Sequence, residues 1–260
     1  MAHAYCAGFP LDPIYRNGSK LLQQLKSYSV ESILVSYDPF RFTILHLMGV
    51  ADAPVVWTEI DKTPIKGAGV NETFRWIWIY WSRLQLAYYF GKLEIANRIV
   101  EPFHTISAID TSYIVTSIRC YFSGLTACGM MRKTGKEKYK RRARKATREM
   151  KKIMRSRGLN NLHRYLLMRA ELLACEEKKG SDIKVAYEKA IASAGKVGFT
   201  QDAALGNELA GEYFLTLGDT FWTNHYFTRA HELYLEWGAK AKSDHLLDTR
   251  GAYIENSSST

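Results

Sequence analysis

AYEKAIASAGKVGFTQDAALGNELAGEYFLTLGDTFWTNHYFTRAHELYLEWG, residues 186–238, carries the pattern on which the fold turns. Ala190 and Ala230 stand 40 positions apart, each in the middle of a segment whose apolar residues recur at spacings of three and four. Four residues beyond them lie Ala194 and Tyr234, and seven beyond lie Val197 and Trp237, an i, i+4, i+7 stripe on one helical face. Ala170 and Ala210 each precede these anchors by 20 residues, in the preceding helix. Extending the register backwards by 44 gives Ala146, followed by Met150 and Ile153, with Thr126 in the place of the earlier alanine. Small residues at such positions let neighbouring helices approach closely, and the large ones fill the space to the next pair.

The same spacings extend over most of the chain, and strict alternation is hard to find, which makes the expected class all-α. Helices are expected at 18–36, 40–50, 72–91, 92–103, 112–131, 136–157, 161–177, 181–196, 201–217, 220–237 and 239–250. Gly91, Gly135, Gly180 and Gly218 supply the turns between paired helices, and Gly238 follows the last repeated face. The expected fold is therefore a right-handed α-solenoid of stacked antiparallel helix hairpins, like tetratricopeptide arrays but with a period near 40. Residues 1–70 form an N-terminal helical pair and a Pro/Gly loop with a possible capping role, 71–250 the array, and 251–260 a disordered tail.

The segment from Gln201 to Asp248 resembles the end of the tetratricopeptide-like region of very large signalling proteins. The residues that carry the likeness are Glu208, Ala210, Tyr213, Phe214 and Leu215, the turn at Gly218, then Tyr226, Ala230 and Tyr234, and Trp237, Gly238, Ala239, Ala241 and Lys242. The stretch from Leu162 to Phe199 is similar to the preceding unit. Proteins of that family combine a protein kinase, a STAND-type predicted ATPase, the helical array and a GAF, sensor histidine kinase or other output domain. The resemblance implies a non-catalytic scaffold for protein–protein or interdomain contacts in signal transduction, with a concave surface for the partner. It is either the regulatory segment of such a protein or a free-standing relative.

With 260 residues, 47% of them apolar and 24% charged, the chain has the makings of a packed core rather than of disorder. Four dispersed cysteines without a C-x-x-C pair indicate neither a disulfide framework nor a thiolate metal site, and the expected setting is cytoplasmic. No transmembrane segment is expected, because Arg75, Arg83 and Arg119 interrupt or flank the two most apolar stretches. The loop from Gly129 to Glu137 has five residues between its glycines where a phosphate loop has four, and Glu137 replaces the magnesium-binding hydroxyl. Histidines 225 and 231 are six apart and project from different helical faces, so they do not chelate. No catalytic motif and no cofactor is indicated, and glutamates such as Glu171 and Glu208 read as partners of neighbouring helices.

One feature remains. The net charge is +10, but residues 132–157 hold 14 Lys and Arg against 2 acids, a local +12 that leaves −2 for the remainder. Tyr139, Ala143, Ala146, Met150, Ile153 and Met154 form an apolar stripe on this helix, and Lys138, Lys140, Arg141, Arg142, Arg144, Lys145, Arg148, Lys151 and Lys152 cover the other faces. An acidic protein partner is the preferred functional reading, beside that of an ordinary solvated helix face. The alternative is a nucleic-acid-binding repeat protein using 136–157, with nuclear import through KRRARK in a eukaryotic host. The aromatic run of Phe74, Trp76, Trp78, Tyr80 and Trp81 reads first as core packing and second as an interface.

Overall fold

A computed structural model describes residues 2–27, 31–50, 70–107, 113–157, 161–176 and 180–254. Among these residues the regular structure is helical throughout, without a strand: α1 (Ala2–Cys6), α2 (Leu11–Ser27), α3 (Glu31–Met48), α4 (Val70–Tyr89), α5 (Leu93–Ser107), α6 (Tyr113–Thr134), α7 (Glu137–Arg157), α8 (Leu162–Cys175), α9 (Gly180–Lys196), α10 (Thr200–Thr216), α11 (Thr220–Trp237) and α12 (Lys240–Arg250). The chain is all-α. From α4 onward each helix packs against the next, most extensively in the pairs α4/α5, α6/α7, α8/α9 and α10/α11, and α4, α6, α8 and α10 also touch in succession.

The buried faces of the second helices coincide under the two offsets read from the sequence. In α9 they are Ile183, Tyr187, Ala190 and Ala194, and in α11 Thr223, Phe227, Ala230 and Tyr234, with Trp237 one turn on. In α7 the corresponding residues are Tyr139, Ala143, Ala146 and Met150, all buried except Ala146, which is half-buried beneath Gly124 and offers its carbonyl to the Cys120 thiol at 3.1 Å. Thr126, Ala170 and Ala210 are buried in the facing helices α6, α8 and α10. A Cβ added to Gly211 would lie 2.8 Å from the Phe227 ring, so α10 and α11 cross at contact distance.

Turn chemistry closes the pairs. Gly238 adopts φ +87° at the end of α11, its own N–H donating to the Leu235 carbonyl at 2.9 Å while that of Ala239 donates to Tyr234 at 2.8 Å. Gly91, Gly135 and Gly218 also take positive φ, whereas Gly180, read as a turn residue, instead opens α9. The chain stays ordered past residue 251, where the tail was placed: Gly251–Tyr253 form a 3-10 turn and Ile254 is buried. The Pro/Gly segment at 51–69 and the tail at 255–260 lie outside the described residues.

The N-terminus differs most from expectation. The first two helices lie earlier than 18–36 and 40–50, and α1 precedes them. Pro13 falls in the first turn of α2, where an N–H has no intrahelical acceptor to lose, and Pro39 is carried inside α3. Behind Pro39 the packing of Phe40, Ile44 and Leu47 holds the helix, and the Pro39 carbonyl accepts the hydroxyls of Thr43 and Ser82, each at 2.9 Å.

Tyr5 of α1 is buried against Phe40, Trp81 and Trp237, with ring centroids 5.7, 5.5 and 5.6 Å away, and its hydroxyl donates to Gln85 Oε1 at 3.0 Å. One residue on, the Cys6 carbonyl accepts from Arg164 Nη2 of α8 and Gln201 Nε2 of α10, at 3.0 and 2.9 Å. Through Tyr5 and Cys6 the N-terminal segment thus joins helices far apart in sequence, while Phe9 stays exposed. The last helix, α12, in turn packs on α3.

Ion pairs run through this core. Asp202 Oδ2 accepts from Arg164 Nε and lies equally close, 2.9 Å, to His163 Nε2, with all three side chains nearly inaccessible. Burial pushes the Asp202 carboxyl up, but Arg164 and His163 outweigh it and hold it below the usual carboxylate range. Glu171, fully buried, accepts from Tyr187 of its own pair and from Arg132 of the preceding one at 2.5 and 2.6 Å. Glu208 accepts from Tyr234 and from the buried Lys242, both at 2.6 Å. These glutamates are therefore partners of neighbouring helices.

Candidate partner-binding face

Helix α7 starts just after Gly135 and turns Tyr139, Ala143, Thr147 and Met150 inward, so its cations are left outside. Of the nine cations singled out in the sequence, Lys138, Arg141, Arg142, Arg144, Lys145, Arg148, Lys151 and Lys152 are exposed and Lys140 is half-buried. They do not make one patch. Because successive residues are turned by about 100°, the nine divide among the flanks of α7 and its outermost ridge.

On one flank Arg142 and Lys145 face a pocket of about 160 Å³ whose other walls come from α5 and α6. Glu101 and Glu149 belong to the same pocket, and Glu149 accepts from Arg119 at 2.9 Å, so its charges largely compensate. On the other flank Arg144, Thr147, Arg148 and Lys151 face α8 across an open groove of about 580 Å³, completed by Tyr165, Arg169 and Leu172. Among the described residues no carboxylate lines this second groove. Glu176 at its edge accepts from Arg144 Nη2 at 2.8 Å and orients that guanidinium, and Arg148 Nε donates to the Arg144 carbonyl at 3.3 Å. Among the described residues, Lys151 and Arg169 have no carboxylate within ion-pair reach.

Arg169 is the residue that reading α7 alone misses. The string LHRYLLMRAE carries two arginines five positions apart, which places them about 140° apart around α8. Arg164 goes to the core with Asp202, and Arg169 goes to the groove. Nothing in the linear charge pattern separates these fates.

Elsewhere the structure offers little for chemistry. Burial pushes the Cys6 thiol up to about 11 and the Cys120 thiol to about 12, the opposite of an activated nucleophile. Among the described residues no three His, Cys, Asp or Glu side chains gather as a metal site would require. The histidine pair splits as its spacing implied, His231 Nδ1 lying 2.6 Å from Ser243 Oγ in α12. Of the aromatic run, Tyr80 and Trp81 are buried and Trp76 and Trp78 pack half-buried on the core, while the Phe74 side chain lies outside the description. No helix among the described residues is long and apolar enough to cross a membrane. Compared with known proteins, the chain matches no family model, no curated protein and no solved structure.

Proposed function

We propose that the chain is a non-catalytic, tetratricopeptide-like scaffold, a right-handed stack of helix hairpins that mediates protein–protein or interdomain contacts in signal transduction. On this reading it is the regulatory segment of a large ATPase or kinase sensor protein, or a free-standing relative. What supports the stack is the agreement of the buried faces of α7, α9 and α11 under offsets of 44 and 40 residues. The partner is acidic and docks on the outside of the array, along α7. The single observation that carries this is the α7–α8 groove, with four cations on its walls and, among the described residues, no carboxylate.

The test is fluorescence anisotropy with a labelled polyglutamate peptide, alongside single-stranded RNA of equal charge. Binding of the peptide should weaken with salt, as screened surface charges require, and should fall at least about 10-fold when Arg144, Arg148 and Lys151 are changed together to Glu. No binding at low salt sinks the proposal. RNA binding that far exceeds the peptide's moves the assignment to the nucleic-acid alternative.

A further inference from the structure

We infer that the α7–α8 groove receives a phosphorylated segment of its protein partner, with Arg148, Lys151 and Arg169 as the phosphoryl-binding residues. This rests on the reading of α7 as an acidic-partner face and adds the chemistry of what is read there. Arg144, Arg148 and Lys151 stand at i, i+4 and i+7, so they share one face of α7 along roughly 10 Å of helix. Tyr165 and Arg169 stand at i and i+4 on the facing side of α8. The groove is thus cationic on both walls.

Charge and stoichiometry favour a phosphoryl group over a carboxylate. One carboxylate is satisfied by one bidentate arginine, whereas a phosphomonoester carries about −1.5 to −2 charges and three acceptor oxygens. Arg144 is anchored by Glu176, which leaves three cations without a carboxylate among the described residues. Among the described residues the Tyr165 hydroxyl has no hydrogen-bond partner, so it is available as a further donor from a residue that lines the groove. A volume of about 580 Å³ falls in the range of roughly 300–1,000 Å³ that holds a drug-sized ligand, so there is room for the chain that bears the phosphate as well.

The same walls argue against a nucleic acid. Among the described residues that line the groove Tyr165 is the only aromatic one, and at 9% exposed it offers no ring face on which a base could stack. Beyond this groove the dense run of cations is confined to residues 132–157 and does not continue along the later helices as a strand would require.

The experiment measures anisotropy of the full chain with four labelled ligands: a short peptide containing one phosphoserine, the same peptide with Glu in its place, the same peptide with unmodified Ser, and a single-stranded RNA. The phosphoserine peptide should bind at least about 10-fold more tightly than its Glu counterpart. Arg169→Gln should remove most of that preference while changing the affinity for the Glu peptide less than about 3-fold, and Tyr165→Phe, which keeps the ring, should reduce the preference in part. Lys196→Gln, exposed at the end of α9 and away from the groove's lining, should leave it intact. Far-UV circular dichroism of each variant checks its folding, and Arg169 is exposed enough for the substitution to be tolerated. Equal affinity for the phosphoserine and Glu peptides overturns this inference but leaves the acidic-partner reading standing. Failure of both peptides to bind overturns both readings, as does RNA binding more tightly than the phosphopeptide.

Discussion

Replacing Arg164 by Met tests the idea that the centre of the array is held together by one buried ion cluster. Arg164 donates to Asp202 Oδ2 at 2.9 Å, to the Cys6 carbonyl at 3.0 Å and to Asn161 Oδ1 at 3.3 Å, and its guanidinium lies 5.6 Å from the ring centres of both Tyr121 and Phe199. Methionine keeps much of the apolar stem between those rings and removes the charge. The Cys6 carbonyl retains Gln201, so the main loss falls on Asp202, left 4% exposed with His163. Stranding one member of a buried pair costs about 3–5 kcal/mol, which is the expected loss in urea unfolding followed by circular dichroism at neutral pH. The sign with pH follows from the carboxyl. In the native protein Asp202 titrates below its ordinary value, so its contribution is present above the unfolded value of about 4 and disappears as pH falls through the folded one. Without Arg164 only His163 still opposes the effect of burial, so the carboxyl shifts up and the gap between variant and wild type should narrow as the pH is lowered towards 4. Adding Asp202→Asn removes the stranded charge and should recover about 2 kcal/mol. A loss below about 1 kcal/mol, a gap independent of pH or strict additivity would refute the cluster as the tie between α1, α8 and α10.

Three further substitutions probe the packing. Ala190→Trp and Ala230→Trp each force a large ring into a buried helix crossing, with an expected cost of about 1–3 kcal/mol, and unchanged melting temperatures in both would remove the shared register. Gly8→Ala introduces a side chain at φ +83° with its Cβ 2.8 and 2.9 Å from backbone atoms of Thr200 and Gly198. Since the left-handed conformation alone costs roughly 1–2 kcal/mol and backbone cannot move aside, residues 2–10 should undock; hydrogen exchange at Ala7–Phe9 should accelerate while α6–α9 stay protected, and unchanged exchange there would count against the docking.

The helix faces were legible in advance because the signal for them is local. Ala190 and Ala230 belong to stripes at helical spacing, and any sequence that buries such a stripe against a neighbour must repeat small and large residues in register. The docking of the N-terminus has no such signal. Tyr5 meets Trp237, and Cys6 meets Arg164 and Gln201, across separations of more than 150 residues, while the three-residue interval between Pro10 and Pro13 looks like an interruption when in fact it opens α2. A proline is read correctly only when its place within the helix is known, since the same ring that breaks an interior turn is neutral in the first one.

The basic helix shows the same division between composition and geometry. Counting charges picks out 132–157 at once, yet it treats Arg142 and Arg148 alike, although one faces a pocket that contains Glu101 and Glu149 and the other a groove with no acid among the described residues. What distinguishes them is the helix each side packs beside, and that is set by the hairpin order: α7 lies between α6, its partner within the pair, and α8, the first helix of the next. A cation facing α6 meets Glu149 of α7 itself and Glu101 of α5, whereas one facing α8 meets what that helix turns outward, here Tyr165 and Arg169. At this junction between pairs Arg144 is paired with Glu176, but Arg148, Lys151 and Arg169 from two helices add, and a multiply charged acceptor is the ligand for which that addition counts most.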